Sequence, residues 1–335
     1  MSLAPIPITT IPGFKFGHYT DADAATGCTV IVAPEGATGG GDVRGAAPAS
    51  RETDLLRPEN TVEQAHAVVL SGGSAFGLEA ASGAARELEE RGIGLDVGVA
   101  RVPIVCSSCL FDLAFGRPDV RPSSAAGILA VRDALERDPS EPLAEGSVGA
   151  GTGATVGKLA GPERAMKAGL GARAFQLGDL QVGAVSAVNA VGNVVAPATL
   201  APIAGMRAAA DSMEILDMDE AMISMAEQMT MPLDRTNTTI SCIVTNATLT
   251  KAQATKVAQM AADAYAHAIR PTHTSNDGDT IYVLASGALD AASSASYPID
   301  LIGLVATRAL EAAICAGCTT AEGLFGLPSY QDALA

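Results

Sequence analysis

The chain has 335 residues, 48% of them hydrophobic and only 4% aromatic, and a formal net charge of −16 at pH 7. A chain of this length can bury most of the surface that its unfolded form exposes. The negative charge repels phosphate backbones, which argues against nucleic acid as a partner. No uncharged apolar run approaches the ~20 residues of a membrane span, and residues 1–14 lack the basic and then apolar pattern of a signal peptide. We therefore expect a cytoplasmic protein without membrane or nucleic-acid partners.

Apolar runs that alternate with glycine-rich stretches predict strands and helices along the first half of the chain. Residues 13–48 are predicted to form several short strands separated by glycine turns. A buried strand is predicted next, with Ser74 in "GGSAF" as the cap of the helix that follows it. The predicted elements from that strand onward are the strand 65–77, the helix 78–94, the strand 101–113 and the helix 122–138.

The second half continues with strands first and long helices later. Residues 171–196 are predicted to form strands, with "LGDL" as a hairpin turn. Residues 201–235 are predicted to form a loop that contains one helix at 216–228. The remaining predicted elements are the strand 239–245, a helix that opens near Thr250, the strand 280–286 and the helix 299–316. Because strands and helices do not alternate strictly, a layered α/β sandwich is favoured over a doubly wound sheet.

Three motifs of nucleotide-binding proteins and hydrolases are incomplete. A phosphate loop in "GAGTGATVGK" would need glycine at Thr152 and a hydroxyl residue at Leu159. The dinucleotide fingerprint fails after Gly153, where residues 154–156 are Ala-Thr-Val. A nucleophile elbow would need a second glycine at Phe76. We therefore predict neither a nucleotide-binding site nor a hydrolase site built from a serine and a histidine.

Cysteine and histidine patterns do not predict a metal site. The four histidines contain no HExxH pair, and His273 with Asp277 and Asp279 offers too few ligands for calcium. Two cysteine pairs have CxxC spacing but lie in apolar runs without the polar turns of zinc knuckles, so we interpret them as small core residues. The six cysteines are Cys28, Cys106, Cys109, Cys242, Cys315 and Cys318. No metal or other cofactor is expected.

The stretch "RTNTTISCIVTN" places an amide and three hydroxyl side chains at the start of a predicted strand. One interpretation is structural, with Asn237 in a turn and the threonines as ordinary strand formers. The other is chemical. If the chain is cut before Thr238, the new α-amino group has an ordinary pKa of about 7.7–8.0 and can take the proton of the hydroxyl on the same residue.

The order of several stretches along the chain resembles a known family. "NTTISCIVTN" and "IRPTHTSNDGDTIYVLAS" look like the β-subunit of the P1 peptidase family, and "GGGDVRGAAPASRETDLL", "LSGGSAFGLEAASG" and "GAGTGATVGK" resemble its α-subunit. This family contains the DmpA-type aminopeptidases, the β-peptidyl aminopeptidases and the 6-aminohexanoate nylon-oligomer endohydrolases. The similarity covers nearly the whole chain and is closest to the nylon-oligomer branch.

The resemblance implies a fold and a processing event. The expected fold is one αββα layered domain over 1–335, of the DmpA/ornithine acetyltransferase type and with the chemistry of N-terminal nucleophile hydrolases. Self-cleavage after Asn237 would release Thr238 as the nucleophile, dividing the chain into 1–237 and 238–335. We expect the two chains to stay together and to assemble as a homo-oligomer, a tetramer of processed heterodimers.

The resemblance also implies roles for four further residues. Lys158 matches a lysine beside the nucleophile, and Asn189 matches an amide that donates to the oxyanion of a tetrahedral intermediate. Asp277 and Asp279 match paired positions that orient the amine and hydroxyl of the nucleophile. One position departs from the family, because Phe111 stands where members often have a tyrosine, and phenylalanine cannot donate a hydrogen bond.

The implied activity is amide hydrolysis through an ester on the N-terminal threonine, without a cofactor. The substrate would be a short peptide or an ω- or β-amino-acid amide with a free N-terminus, or an internal linear amide oligomer. Two alternatives remain open at this point. One is an acyltransferase of related fold, and the other is an unprocessed member that binds a small molecule without catalysis.

Overall fold

The computed structural model describes residues 2–138, 140–228 and 237–334. The strands are β1 Ala4–Ile6, β2 Lys15–Asp21, β3 Thr26–Val43, β4 Ala49–Arg51, β5 Gln64–Ser71, β6 Leu95–Asp96, β7 Arg101–Val102, β8 Val105–Cys109, β9 Thr155–Val156, β10 Met166–Lys167, β11 Leu170–Leu177, β12 Leu180–Ala187, β13 Asn193–Val195, β14 Pro202–Ala204, β15 Ile240–Thr245, β16 Ile269–Arg270 and β17 Thr280–Ala285. The helices are α1 Glu79–Glu90, α2 Ser124–Glu136, α3 Met218–Glu227, α4 Lys251–Ala261, α5 Asp263–Ala268, α6 Ala291–Ser294, α7 Ile299–Thr319 and α8 Tyr330–Leu334.

The long strand β3 joins two layers of strands. Its residues 26–32 pair with β2, and most of the same stretch pairs with β5, whereas residues 38–43 pair with β17. The pairing with β5 shifts register between Val32 and Ala37, and such irregularities bend a strand. The hydrogen-bonded order β1-β11-β12-β15-β17-β3-β5-β8-β4 therefore describes one sheet that folds over at β3.

Buried side chains show how the layers stack. Residues of β3 and β5 share a cluster with residues of β15 and β17, so the two layers pack face to face. The outer face of the β12–β15–β17 layer shares a second cluster with α4, α5 and α7. The outer face of the β3–β5–β8 layer shares a third cluster with α1 and α2. Helices thus cover both outer faces, which confirms the predicted αββα sandwich.

Helix α7 belongs to this core. Its length and a mean hydropathy of 1.6 would suffice for a membrane span, but 72% of that apolar window is buried inside the protein. The helix packs against β11, β12 and α4. Its buried apolar face is therefore explained by the sandwich.

The prediction of several short strands over 13–48 is wrong in one respect. "GCTVIVA" and the first five residues of "GGGDVRGAA" lie in the single strand β3, and the glycines at 39–41 do not form a turn. A Cβ at Gly40 would lie 2.4 Å from the backbone nitrogen of Thr255 and 2.5 Å from the carbonyl carbon of Ala254. Glycine is needed there because α4 packs directly on the strand, a tertiary contact that local sequence does not reveal.

The predicted helix cap at Ser74 is also wrong. Ser74 has φ of +53° and begins a 3-10 turn, Ser74–Leu78, before α1 starts at Glu79. Neither the turn nor α1 has a side-chain cap hydrogen bond. Gly73 has φ of +82°, so two successive residues in the left-handed region turn the chain at the end of β5.

The other predicted elements are present with shifted ends. The "LGDL" hairpin joins β11 to β12, with Gly178 at φ of +60°. Helix α4 opens with a capping box, in which the Thr250 side chain accepts from Gln253 N and the Gln253 side chain accepts from Thr250 N. The predicted loop 201–235 contains β14 and α3, and its residues 229–235 lie outside the described part of the chain.

The close packing of α4 on β3 gives a testable consequence. We expect Gly40→Ala to lower the free energy of unfolding by about 1–3 kcal/mol, because its Cβ meets backbone atoms that cannot rotate away. Gly41→Ala is the matched control, since its Cβ would have no neighbour closer than 3.2 Å. Denaturant unfolding measures the difference, with both variants made on a Thr238→Ala background, in which the expected self-cleavage should not occur. An equal loss in both variants would contradict the packing argument.

Candidate active site

The parallel pairing of β15 and β17 brings two distant segments to one edge of the sheet. Ile240 pairs with Thr280, so the residues that precede each strand lie side by side. Parallel neighbours require a crossover connection, which α4 and α5 provide. Thr238 therefore lies beside the loop of Asp277, Gly278 and Asp279.

The antiparallel neighbour on the other side brings in Asn189. Ala187 pairs with Ile240 at the end of β12, and the ladder continues by one further step. In that step the backbone nitrogen of Thr238 donates to the carbonyl oxygen of Asn189 at 2.9 Å. Thr238 and Asn189 are 4% and 0% exposed, so the pairing is buried.

Lys158 reaches the same carbonyl oxygen. Its Nζ donates to Asn189 O at 3.0 Å and to Asn189 Oδ1 at 2.8 Å, and the residue is 8% exposed. The preceding Gly157 has φ of +73°, and a Cβ there would lie 2.0 Å from the backbone of Gly205 and Met206. Glycine is thus required at the turn that directs Lys158 into the site.

The orientation of the Asn189 amide follows from its partners. Its Oδ1 accepts from Lys158 Nζ and from the backbone nitrogen of Thr155 at 3.1 Å. Its Nδ2 donates to the carbonyl oxygen of Phe111 at 2.8 Å. The backbone of Phe111 therefore contacts the predicted site through its carbonyl oxygen.

The hydroxyl of Thr238 lies against the peptide bond that is predicted to be cut. Oγ1 donates to the carbonyl oxygen of Asn237 and accepts from the backbone nitrogen of Gly278 at 3.2 Å. A Cβ at position 278 would lie 2.8 Å from Thr238 Oγ1 and 2.9 Å from Ala47 O. Only glycine lets that backbone nitrogen approach so closely.

Both aspartates are buried, and the carboxyl group of each accepts a hydrogen bond from a backbone nitrogen. Asp279 Oδ1 accepts from the backbone nitrogen of Thr239 at 2.8 Å, and Asp277 Oδ2 accepts from that of Thr274 at 2.6 Å. Burial, and next the charge of Asp279, raise the pKa of Asp277 to about 6. Asp277 Oδ1 is buried and has no hydrogen-bond partner within the described residues.

The network includes side chains and backbone groups that were not predicted as part of it, among them those of His273, Tyr265 and Thr155. The imidazole of His273, which was considered from the sequence only as a cation ligand and was not predicted to be one, binds Asp279 Oδ2 through Nδ1 at 2.9 Å. The Tyr265 hydroxyl is 3.1 Å from Thr239 O, and Thr155 N binds Asn189. No sequence signal identified Tyr265 or Thr155, because each acts through a contact between distant segments.

A cleft opens beside Lys158. Its empty volume is about 420 Å³, which includes solvent space at the open mouth. Its walls are mostly apolar and include Phe111, Phe115 and Leu327. Its buried carboxylate, Asp112, already accepts from Thr26 Oγ1 at 2.7 Å and Gly73 N at 2.6 Å.

The cysteines do not take part in this site. All six are free thiols, and five of them are buried. Burial raises the pKa of Cys28 and Cys106 to about 12, which keeps them as thiols. Within the described residues no group of three or more His, Cys, Asp and Glu side chains is arranged to hold a metal ion.

Comparison with known families places this geometry in context. The model of Peptidase family S58 matches residues 7–330. The chain belongs to peptidase family S58. The resemblance to DmpA-type aminopeptidases and nylon-oligomer hydrolases that the sequence indicated is thereby confirmed.

Relatives of this S58 chain carry two kinds of name. An uncharacterized aminopeptidase of Mycobacterium leprae is 40% identical, over 96% of this chain and 92% of its own. A 6-aminohexanoate-oligomer endohydrolase of Paenarthrobacter ureafaciens is 32% identical, over 83% of this chain and 74% of its own. The chain is therefore similar to the nylon-oligomer branch, but its sequence identity to the mycobacterial protein is higher.

A solved structure supports the fold of the S58 chain. The L-aminopeptidase D-Ala-esterase/amidase of Ochrobactrum anthropi, described as a variant of the Ntn hydrolase fold, has a TM-score of 0.67 and 17% identity. The match covers 98% of this chain and 90% of the other. By family and by fold, the S58 chain is a hydrolase of amide or peptide bonds on an Ntn-hydrolase-like scaffold.

The buried carboxyl of Asp277 gives a pH-dependent prediction. Its pKa of about 6 lies above the unfolded value of about 3.9, so the native state binds more protons between these values and loses stability as pH rises through them. On an uncut Thr238→Ala chain, we expect Asp277→Asn to raise the free energy of unfolding at pH 7 by about 2–3 kcal/mol, at 1.36 kcal/mol per pKa unit. Most of the gain should be lost at pH 4, where it falls to about 0.5 kcal/mol.

Denaturant unfolding at the two pH values measures this difference, with exposed Asp23→Asn as the matched control. The control should change stability equally at both pH values. A gain at pH 4 as large as that at pH 7 would show that the ionised carboxylate of Asp277 is not what destabilises the site.

Proposed function

We propose that this S58 hydrolase cleaves itself between Asn237 and Thr238 and then hydrolyses amides through an ester on Thr238. The observation that carries the proposal is the shared acceptor at Asn189. Its carbonyl oxygen accepts from both Thr238 N and Lys158 Nζ. A lysine ammonium thus lies next to the nitrogen that becomes the chain end.

Self-cleavage would begin with the hydroxyl of Thr238. Its oxygen attacks the carbonyl carbon of Asn237, the hydroxyl proton passes to the departing nitrogen of Thr238, and the peptide bond becomes an ester. Water then opens the ester and leaves a carboxylate on Asn237 and a free amine on Thr238. The contact of Oγ1 with the Asn237 carbonyl and with Gly278 N supports this step, because a donated hydrogen bond stabilises developing negative charge on oxygen.

Substrate hydrolysis would reuse the same atoms. The free amine of Thr238 takes the proton of its own hydroxyl, the oxygen attacks the substrate amide, and the proton returns to the leaving amine. Water then releases the acid from the ester. Because Lys158 shares the acceptor of that amine, its positive charge lowers the pKa of the amine and favours the neutral form that acts as a base.

Asn189 is proposed to donate to the oxyanion of the tetrahedral intermediate. Its Oδ1 is held by Lys158 and Thr155, which directs Nδ2 away from those groups. Phe111 cannot replace a donating tyrosine with its side chain, but its carbonyl oxygen holds Nδ2 in place. Asp277 and Asp279 are proposed to orient Thr238 indirectly, through the backbone of residues 239 and 278.

The cleft beside Lys158 suggests the kind of substrate. Its apolar walls suit the aliphatic part of a short peptide, of a β- or ω-amino-acid amide or of a linear amide oligomer. Free thiols on all six cysteines support the proposal of a cytoplasmic enzyme. Oligomer formation is also proposed, and the hairpin of β6 and β7, with Val99 96% exposed, offers an apolar contact surface.

If Thr238 is the nucleophile, replacing it should change the pattern on a denaturing gel from two bands to one. We expect the unchanged chain to separate into pieces of 237 and 98 residues, with the smaller beginning Thr-Thr-Ile-Ser. Thr238→Ala should remain one band and lose all amidase activity, because no hydroxyl is left to attack. The matched control is Thr255→Ala, whose hydroxyl is buried and without a hydrogen-bond partner within the described residues.

The control should process normally. Two bands from Thr238→Ala would show that the cut or its nucleophile lies elsewhere. Activity is measured with β-alanine p-nitroanilide and with a linear 6-aminohexanoate trimer. Adding an acceptor amino acid to either assay separates hydrolysis from acyl transfer, since a transferase would form a new amide with the acceptor.

A further inference from the structure

The carboxylate of Asp279 is held by a histidine that no step of the proposed reaction uses. Its Oδ2 lies 2.9 Å from His273 Nδ1, 3.1 Å from His273 N and 3.2 Å from Thr272 Oγ1. Its Oδ1 accepts from Thr239 N at 2.8 Å, and the residue is 3% exposed. Because a carboxylate only accepts hydrogen bonds, Nδ1 of His273 carries the proton that lies between them.

The backbone of His273 is in an unfavourable conformation. Its φ is +56°, in the left-handed region, where a residue other than glycine costs on the order of 1–3 kcal/mol. Such a conformation persists only when surrounding contacts determine it. Here it lets both the backbone nitrogen and the ring of one residue bind the same carboxylate oxygen.

The imidazole is also fixed from its other side. Its ring packs on Tyr265, with centroids 5.4 Å apart and planes at 41°. The hydroxyl of Tyr265 lies 3.1 Å from Thr239 O and 3.4 Å from Thr280 O, at the starts of β15 and β17. The ring that supports His273 therefore also contacts the two segments that form the site.

We propose that His273 is a positioning residue, which holds Asp279 so that this carboxylate fixes Thr239 and, through it, the adjoining Thr238. The inference rests on the proposed function, since it takes Thr238 as the nucleophile. Without the donor at Nδ1, Oδ2 keeps only the longer hydrogen bonds from His273 N and Thr272 Oγ1, so the carboxylate holds Thr239 N less firmly. Displacement of a reacting group by about 1 Å costs on the order of 100-fold in rate.

An isosteric pair of variants tests the donor. In His273→Asn the amide nitrogen is attached to Cγ as Nδ1 is, and asparagine tolerates a positive φ. His273→Asp has the same shape and also tolerates that backbone, but it only accepts and its charge repels Asp279. We expect His273→Asn to cleave itself at a rate within threefold of that of the unchanged chain. We expect His273→Asp to cleave itself at least tenfold more slowly.

Self-cleavage is followed by pulse–chase in cell-free translation, which requires no substrate. The control is the same pair at Leu200, which has φ of +60° and is 53% exposed outside the site. Leu200→Asn and Leu200→Asp should process alike. On β-alanine p-nitroanilide, His273→Asp should lower kcat at least tenfold and change KM less than threefold, because the nucleophile and not the substrate cleft is displaced.

Two results would overturn the proposal. In the first, His273→Asn and His273→Asp both cleave themselves at about the rate of the unchanged chain. In the second, both variants lose most of their cleavage rate, and by the same factor. Thermal unfolding on the Thr238→Ala background establishes whether each variant folds. If the Asp variant does not fold, His273→Gly replaces it, and it must cleave at least tenfold slower than Asn. Two bands from Thr238→Ala alone would instead contradict the proposed function.

Discussion

The site depends on the pairing of strand β15. This strand is hydrogen-bonded to a parallel neighbour on one side and to an antiparallel neighbour on the other. The parallel register with β17 brings the Asp277–Asp279 loop to the start of β15. The antiparallel register with β12 brings Asn189 to the same point. A slip of one residue in either pairing would turn the Thr238 side chain to the opposite face of the sheet. The position of the proposed nucleophile is thus set by backbone pairing rather than by its own side-chain contacts.

The local sequence carried enough information for the strands and helices with strong patterns. The strand predicted at 239–245 is observed as Ile240–Thr245, and the capping box at Thr250 begins α4. The glycines of β3 were misinterpreted because glycine signals both a turn and the close approach of another backbone. Which of the two applies at Gly40 depends on α4, more than two hundred residues later in the chain.

For the site too, the sequence was enough to predict some features and not others. Motif order was enough to select Lys158, Asn189, Asp277 and Asp279, and the structure brings all four to the neighbourhood of Thr238. Their individual roles stay predictions. Motif order could not show that the aspartates bind backbone nitrogens, or that the carbonyl oxygen of Phe111 holds the Asn189 amide. Those contacts use main-chain atoms, which every residue carries, and so leave no trace in residue type.

The same pairing explains how a chain break at Asn237 could leave the geometry of the site intact. Thr238 N is held by Asn189 O, and Thr239 N by Asp279 Oδ1, so both nitrogens have partners on segments other than the one that is cut. Cleavage would replace the peptide nitrogen of Thr238 with an amine that can still donate to the same oxygen. The ladder beyond, from Ile240 to Thr245, continues to pair with β12 and β17 on both sides. The proposed reaction therefore changes the chemistry of one nitrogen while the strands that position it remain paired.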